Sequence, residues 1–335
     1  MVEAVKHGSD NPPSVTERDA LSPFLPRSAP SANESPDRII ERTREAIEAA
    51  RAGGNPIAEA AASSDLCVML REAGRLNEAI EAGYLALELS NRENAFSEKT
   101  QALLALSGCY LHIGNPRTAF SYLAEAESTA RRYGSRDEIA EVLLSQSASF
   151  GRVRNPEKAL EYALLVKGEF GNDLSDIRRS SMCNNIAASL NDLGRYAESL
   201  PYVDEGLASL TDPGQELSRA FLLGNKAVAL SHAGEIDSVL AIVRQVEELA
   251  ERHGRQILVA GLMEELGVSY FKLGHSEQAR VCLERAKAVA ESLSLKNIVR
   301  TVCKHLAQVY EELGLPEEAG RDAQDCLDYR RGVVK

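Results

Sequence analysis

EELGVSYFKLGHSEQARVCLERAKAVA, residues 264–290, decides the fold. Counted from Gly274, Leu266, Gly267 and Tyr270 stand eight, seven and four residues earlier, offsets that share one face of an α-helix. Ala279 and Ala286 stand five and twelve residues later and mark the apolar stripe of a second helix. The pattern then recurs along the chain. Gly74, Gly114, Gly194, Gly234 and Gly314 lie at intervals of 40 residues or a multiple from Gly274, and the one missing member of the series is Arg154. A fixed period over seven units outranks every other signal in the chain.

The columns around these glycines behave as packing positions. Seven residues before each stands a small side chain (Cys67, Ser107, Ser147, Ala187, Ala227, Gly267, Ala307), and four before a large apolar one (Leu70, Tyr110, Phe150, Leu190, Leu230, Tyr270, Tyr310). A small column lets a neighbouring helix approach while the large one fills the gap. Pro116, Pro156 and Pro316 follow the turn by two residues, at the start of the second helix, where a missing N–H costs nothing.

These columns resemble the tetratricopeptide repeat. Leu266, Gly267, Tyr270, Gly274, Ala279 and Ala286 occupy the family's places, and the likeness covers residues 36–331. The 40-residue unit departs from the common shorter form. It is similar to the bacterial regulatory repeats of the peptide-sensing and MalT-like groups, and to eukaryotic adaptors such as kinesin light chains. The resemblance implies an all-α, right-handed α-solenoid superhelix of about seven helical hairpins, turning near 74, 114, 154, 194, 234, 274 and 314. Residues 37–52 are expected to form an N-terminal capping helix to the 36–335 solenoid, with Arg38, Glu41, Arg42, Glu45 and Glu48 on its outer side. Six of the twelve prolines fall within the first 36 residues, among Ser, Asn and Asp, and residues 1–35 read as a disordered tail.

Composition narrows the function classes. The chain has 335 residues, a formal net charge of -12 and no Trp. A nucleic-acid binder needs clustered Lys and Arg, so this charge argues for protein partners. The longest clean apolar run, Ile257 to Met263, is far short of a membrane span, and residues 1–13 lack a signal core. A cytoplasmic location follows as the expectation. Cys67, Cys109, Cys183, Cys282, Cys303 and Cys326 form no CxxC pair and read as reduced core thiols.

No HExxH, GxGxxG, P-loop or GxSxG motif is present, and no two histidines pair at i+3 or i+4. The expectation is a non-enzyme without cofactor or metal. Its working surface should be the concave face lined by the first helix of each unit. Nine residues before the turn, that face carries Asp65, Ala105, Ser145, Asn185, Asn225, Glu265 and His305. In related repeats, the resemblance implies, asparagines here bind the backbone of an extended peptide. First helices lie about 10 Å apart and a strand rises ~3.3 Å per residue, so adjacent asparagines could grip a peptide three residues apart. The plain alternative is a solvated helix face.

The candidate peptide-binding set is Asn184, Asn185, Asn225, Lys226, Arg152, Phe221 and His232, with Leu104, Leu144, Ala148 and Ala188 as an apolar floor. Gln146, Arg154, Pro201 and Lys226 break the repeat rules in the middle units, where Lys226 either reaches an acidic group or extends to water. The function that follows is a protein- or peptide-binding scaffold, with homo-oligomers also admitted by such a surface. The alternative is a ligand- or peptide-sensing regulatory module of a bacterial signalling system, with its output domain on another chain.

Overall fold

The structure is a computed structural model and describes residues 36–171, 173–211, 215–252, 254–293 and 295–331. The expected tail, 1–35, lies outside the described residues. Those residues form fifteen α-helices and no strand. After α1 (Pro36–Ala52) come seven hairpins: α2 (Pro56–Glu72) with α3 (Leu76–Arg92), α4 (Phe96–His112) with α5 (Pro116–Tyr133), and α6 (Arg136–Arg152) with α7 (Pro156–Phe170). Next are α8 (Asp176–Asp192) with α9 (Tyr196–Ser209), α10 (Glu216–His232) with α11 (Ile236–Arg252), α12 (Ile257–Lys272) with α13 (Ser276–Ser292), and α14 (Lys296–Glu312) with α15 (Pro316–Arg331). Helix packs on sequential helix throughout, so the fold is an all-α solenoid.

Each hairpin turn has the same chemistry. Gly74, Gly114, Gly194, Gly234, Gly274 and Gly314 take φ values of 73–76°, and the following N–H returns to the carbonyl five residues back. The acceptors are the large-column residues: Arg75 N donates to Leu70 O at 2.8 Å, Asn155 N to Phe150 O at 2.9 Å and His275 N to Tyr270 O at 2.9 Å. This six-to-one bond closes the helix end and reverses the chain. Arg154 does it without glycine, at φ 57°. After the turn, Asn115 and Asn155 cap the next helix, their side chains accepting from Thr118 N at 3.2 Å and Lys158 N at 3.1 Å, with proline at the first helical position.

A second class of turn joins one hairpin to the next. Gly54, Asn94 and Gly254 are left-handed at φ 63°, 53° and 62°, and they close with the same five-back bond (Ala95 N to Ser90 O, 2.9 Å). The third hairpin instead begins with a capping box, in which Ser135 and Glu138 satisfy each other's backbone N–H groups. Helices therefore start every 20 residues, at Pro36, Pro56, Leu76, Phe96, Pro116, Arg136 and Pro156, half the period of the sequence columns.

Packing between the two helices of a unit is dry and close. Ala79, Ala119 and Ala279 are 0% exposed, as are Ala86, Ala126 and Ala286. At Gly267 a Cβ would lie 2.5 Å from Leu283 Cγ, so only glycine allows α12 and α13 their separation. On α1, Ile39, Ile40, Thr43 and Ile47 are buried while Arg38, Glu41, Arg42, Glu45 and Glu48 are exposed. Leu104 and Leu144, expected on the floor of a groove, are 1% and 0% exposed. They point between helices and belong to the core. Gln146 is no gap in the core either: its Nε2 donates to Glu127 Oε2 at 2.8 Å on α5.

Three stability changes follow. Gly267→Ala should lower the urea midpoint by the equivalent of about 1–3 kcal/mol through overpacking, whereas Gly168→Ala, with nothing within 4 Å of its Cβ, should raise it by about 0.4–1 kcal/mol. Arg154→Gly should be stabilising by about 0.5–1 kcal/mol, because it releases a left-handed non-glycine residue; an unchanged or lower midpoint would show that the Arg154 side chain offsets its backbone cost.

Candidate functional site

The first helices of successive hairpins, α2, α4, α6, α8, α10, α12 and α14, lie side by side and form the inner face. Where the packing between the two helices of a unit is apolar, this face is stitched by polar bonds. Gln101 Nε2 donates to Glu141 Oε2 at 2.9 Å, and Arg178 Nη2 reaches the same oxygen at 2.8 Å, linking α4, α6 and α8. Ser231 and Ser269 share a hydrogen bond of 2.8 Å between α10 and α12.

The asparagines extend this stitching through the middle units. Asn185 Nδ2 donates to Leu144 O on α6 at 3.1 Å. Asn225 is 6% exposed; its Nδ2 donates to Asn184 Oδ1 at 2.8 Å and to Phe221 O at 3.4 Å, and its own carbonyl accepts from Asn191 Nδ2 at 2.9 Å. The structure thus groups Asn184, Asn185 and Asn225 and adds Asn191, a buried residue that the column reading missed because it lies on a different row, three residues before the turn. Asn184 and Asn185 are half-buried, and Asn184 Nδ2 and Asn185 Oδ1 make no hydrogen bond among the described residues.

The other expected site residues fall elsewhere. Lys226 turns away from this group, because neighbours on a helix point about 100° apart. Its Nζ sits 2.7 Å from Asp204 Oδ1 on α9, an ion pair within the chain itself. Phe221 is half-buried and packs against the core of the later units. His232 stacks on Tyr196 with ring centroids 3.6 Å apart and planes 8° from parallel. Burial, then the Lys272 ammonium, holds its imidazole below the ordinary value.

Arg152 belongs to a separate cluster on α2, α4 and α6. Arg71 is 2% exposed, with Nη2 3.9 Å from Glu72 Oε1, and it packs flat on Gly108, where a Cβ would be 2.0 Å from its Nη1. His112 lies beside both arginines. Burial first, then Arg152 and Arg71, push its imidazole down to about 3. Longer-range electrostatics also act on titratable groups of the first helices. Glu72 is pushed up by burial against the pull of Arg71 and of Arg255, which stands in the α11–α12 turn. His305 on α14 is held down by burial, then Lys304, with Arg154 and Lys272 adding to the effect.

Among the described residues, one other cluster has metal-ligand character: Cys303, Asp322 and Asp325. A cation already fills it, since Lys287 Nζ lies 2.5 Å from Asp322 Oδ1 and 2.8 Å from Asp325 Oδ2. Burial pushes the Cys303 thiol up to about 12. Among the described residues, no helix is long and apolar enough to cross a membrane.

Comparison with known proteins sets this geometry in context. The tetratricopeptide repeat family model matches residues 180–210, which span α8 and α9, and again residues 260–292, which span α12 and α13. No curated protein matches the sequence. Among solved structures, the apo form of the quorum sensor NprR from B. thuringiensis superposes with a TM-score of 0.65 at 15% identity, covering 88% of this chain and 83% of that one. NprR in complex with its cognate peptide NprX gives 0.61 at 14% identity, over 88% and 84%. Aspartyl phosphate phosphatase F from Bacillus subtilis gives 0.61 at 14% identity, over 88% and 74%. Identities this low establish a shared fold and nothing more. Repeat columns and hairpin geometry agree with the two family-model matches, and the chain carries tetratricopeptide repeats within its all-α solenoid.

Proposed function

We propose that the chain is a non-catalytic peptide-binding module whose inner face at α8 and α10 holds an extended segment of a partner protein. One observation carries this reading: Asn184 offers Nδ2 donors and Asn185 an Oδ1 acceptor, side by side and half-buried. A donor and an acceptor so placed complement a peptide unit whatever side chain it bears. Asn225 serves as the brace, holding Asn184 in place through its own bond. The occurrence of the same fold in NprR with its peptide supports a groove of this kind. The fold leaves activity open, as the phosphatase relative illustrates, so the absence of catalysis is part of the proposal. A net charge of -12 favours a protein over a nucleic-acid partner, and six free cysteines accord with the cytoplasm.

The likeness to a quorum sensor favours a second reading, in which the same groove belongs to a sensor with its output on another chain. The two differ in whether bound peptide alters superhelical pitch. Small-angle scattering with and without the peptide separates them.

A displayed random-peptide library selected against the full chain provides the probe. For a selected peptide, Asn184→Ala with Asn185→Ala should weaken Kd tenfold to a hundredfold, about 1.4–2.8 kcal/mol, with unchanged circular dichroism. Retained affinity in that double variant would falsify the clamp. The separate cluster around His112 also makes stability pH-dependent. His112 stays neutral in the folded chain down to about pH 3, while the unfolded chain takes up its proton below about 6.5. Stability is unaffected by this group above pH 6.5 and is lost as pH falls below it, by about 2 kcal/mol at pH 5. His112→Gln should flatten that part of the acid limb, measured by urea unfolding between pH 7 and 5.

A further inference from the structure

Away from the asparagine groove, two cysteines meet where the first two units join. Cys67 on α2 and Cys109 on α4 are both 0% exposed, and their Sγ atoms are 3.5 Å apart in a thiol–thiol hydrogen bond. The repeat explains why these positions face each other. Cys67 is seven residues before its turn and Cys109 five before the next. The same pair of positions carries Ser107 with Ser149, Ser147 with Ser189, Ala187 with Ala229, Ala227 with Ser269, and Gly267 with Val309. Only the first junction has thiols at both. The backbone is arranged to bring them near. Gly108, next to Cys109, admits Arg71 flat against α4, and Gly83 leaves room at Cys67, whose Sγ would be 3.1 Å from a Cβ there. A disulfide needs ~2.05 Å between sulfurs, so rotation about the two Cα–Cβ bonds has about 1.5 Å to close.

We propose that Cys67 and Cys109 form a reversible disulfide when the protein meets a hydroperoxide, tying α2 to α4. Cys109 is the attacking sulfur: the hydrogen bond from Cys67 favours its thiolate, burial opposes it, and the charges of Arg71 and Arg152 add to the favourable side. Its Sγ attacks one peroxide oxygen, the O–O bond breaks, an alkoxide (hydroxide from hydrogen peroxide) leaves and Cys109 becomes a sulfenic acid. Cys67 Sγ then attacks the Cys109 sulfur. The S–S bond forms, the S–O bond breaks, and the departing hydroxide takes the Cys67 proton as water. Two thiols lose two electrons, and the peroxide gains them. Both sulfurs are buried, so local opening of α2 from α4 sets the rate.

The full chain, treated with hydrogen peroxide and then alkylated in denaturant, should lose two of its six free thiols and the mass of two hydrogens. Peptide mapping should join the segments holding residues 67 and 109, and dithiothreitol should restore all six thiols. The oxidised form should melt at a higher temperature than the reduced one. Cys67→Ala and Cys109→Ala place alanine where other units already have it, at 187 and 229, so each should fold while forming no crosslink. Sulfinic or sulfonic acid on either residue without a crosslink overturns the proposal. So does a bridge involving other cysteines, or six intact thiols after prolonged exposure.

Discussion

A backbone bond five residues long governs this molecule. At each hairpin turn the N–H beyond a left-handed residue returns to the carbonyl of the large-column residue, for example Arg75 to Leu70 and Leu315 to Tyr310, both at 2.8 Å. The residue that plugs the helix end with its side chain thus also anchors the reversal with its carbonyl. Moving a turn by one position would rotate the following helix by about 100° and bury the wrong face. The same bond recurs in the turns at Asn94 and Gly254, so it serves some reversals of both kinds.

Given fixed turns, the two sides of each first helix take different work. Toward its own partner it presents small apolar residues, and alanines with no exposure let the helices close up without voids. Toward its neighbours in adjacent units it presents carboxamides, hydroxyls and charges. Bonds such as Asn191 to the Asn225 carbonyl hold units together with directional contacts, whereas the pair within a unit is held by area. A polar inner face also keeps hydrogen-bonding groups where a bound chain would lie.

Most of the architecture was legible because a period survives drift at single positions: Arg154 interrupts the glycine series without displacing the next turn. The second class of turn was not legible, since Gly54, Asn94, Gly134 and Gly254 use different residues and two different closures. Within the site, the grouping of Asn184, Asn185 and Asn225 could be read from adjacent rows of the ladder. The direction of Lys226 could not, because one helical step carries it round to Asp204 on α9. Leu104 and Leu144 were misplaced for a related reason: a row that is open at Asn184 in α8 is sealed at α4 and α6. Arg71 was missed since nothing local marks a buried guanidinium; its signal, Gly108, is 37 residues away.

Arg154 joins two properties that sequence keeps apart elsewhere. Its left-handed backbone costs roughly 1–2 kcal/mol relative to an easier conformation, yet the same residue sets a permanent cation near the imidazole of His305. Glycine would ease the chain and leave that corner of the trough less positive. At this one turn, ease of folding and the electrical character of the cavity cannot be tuned separately.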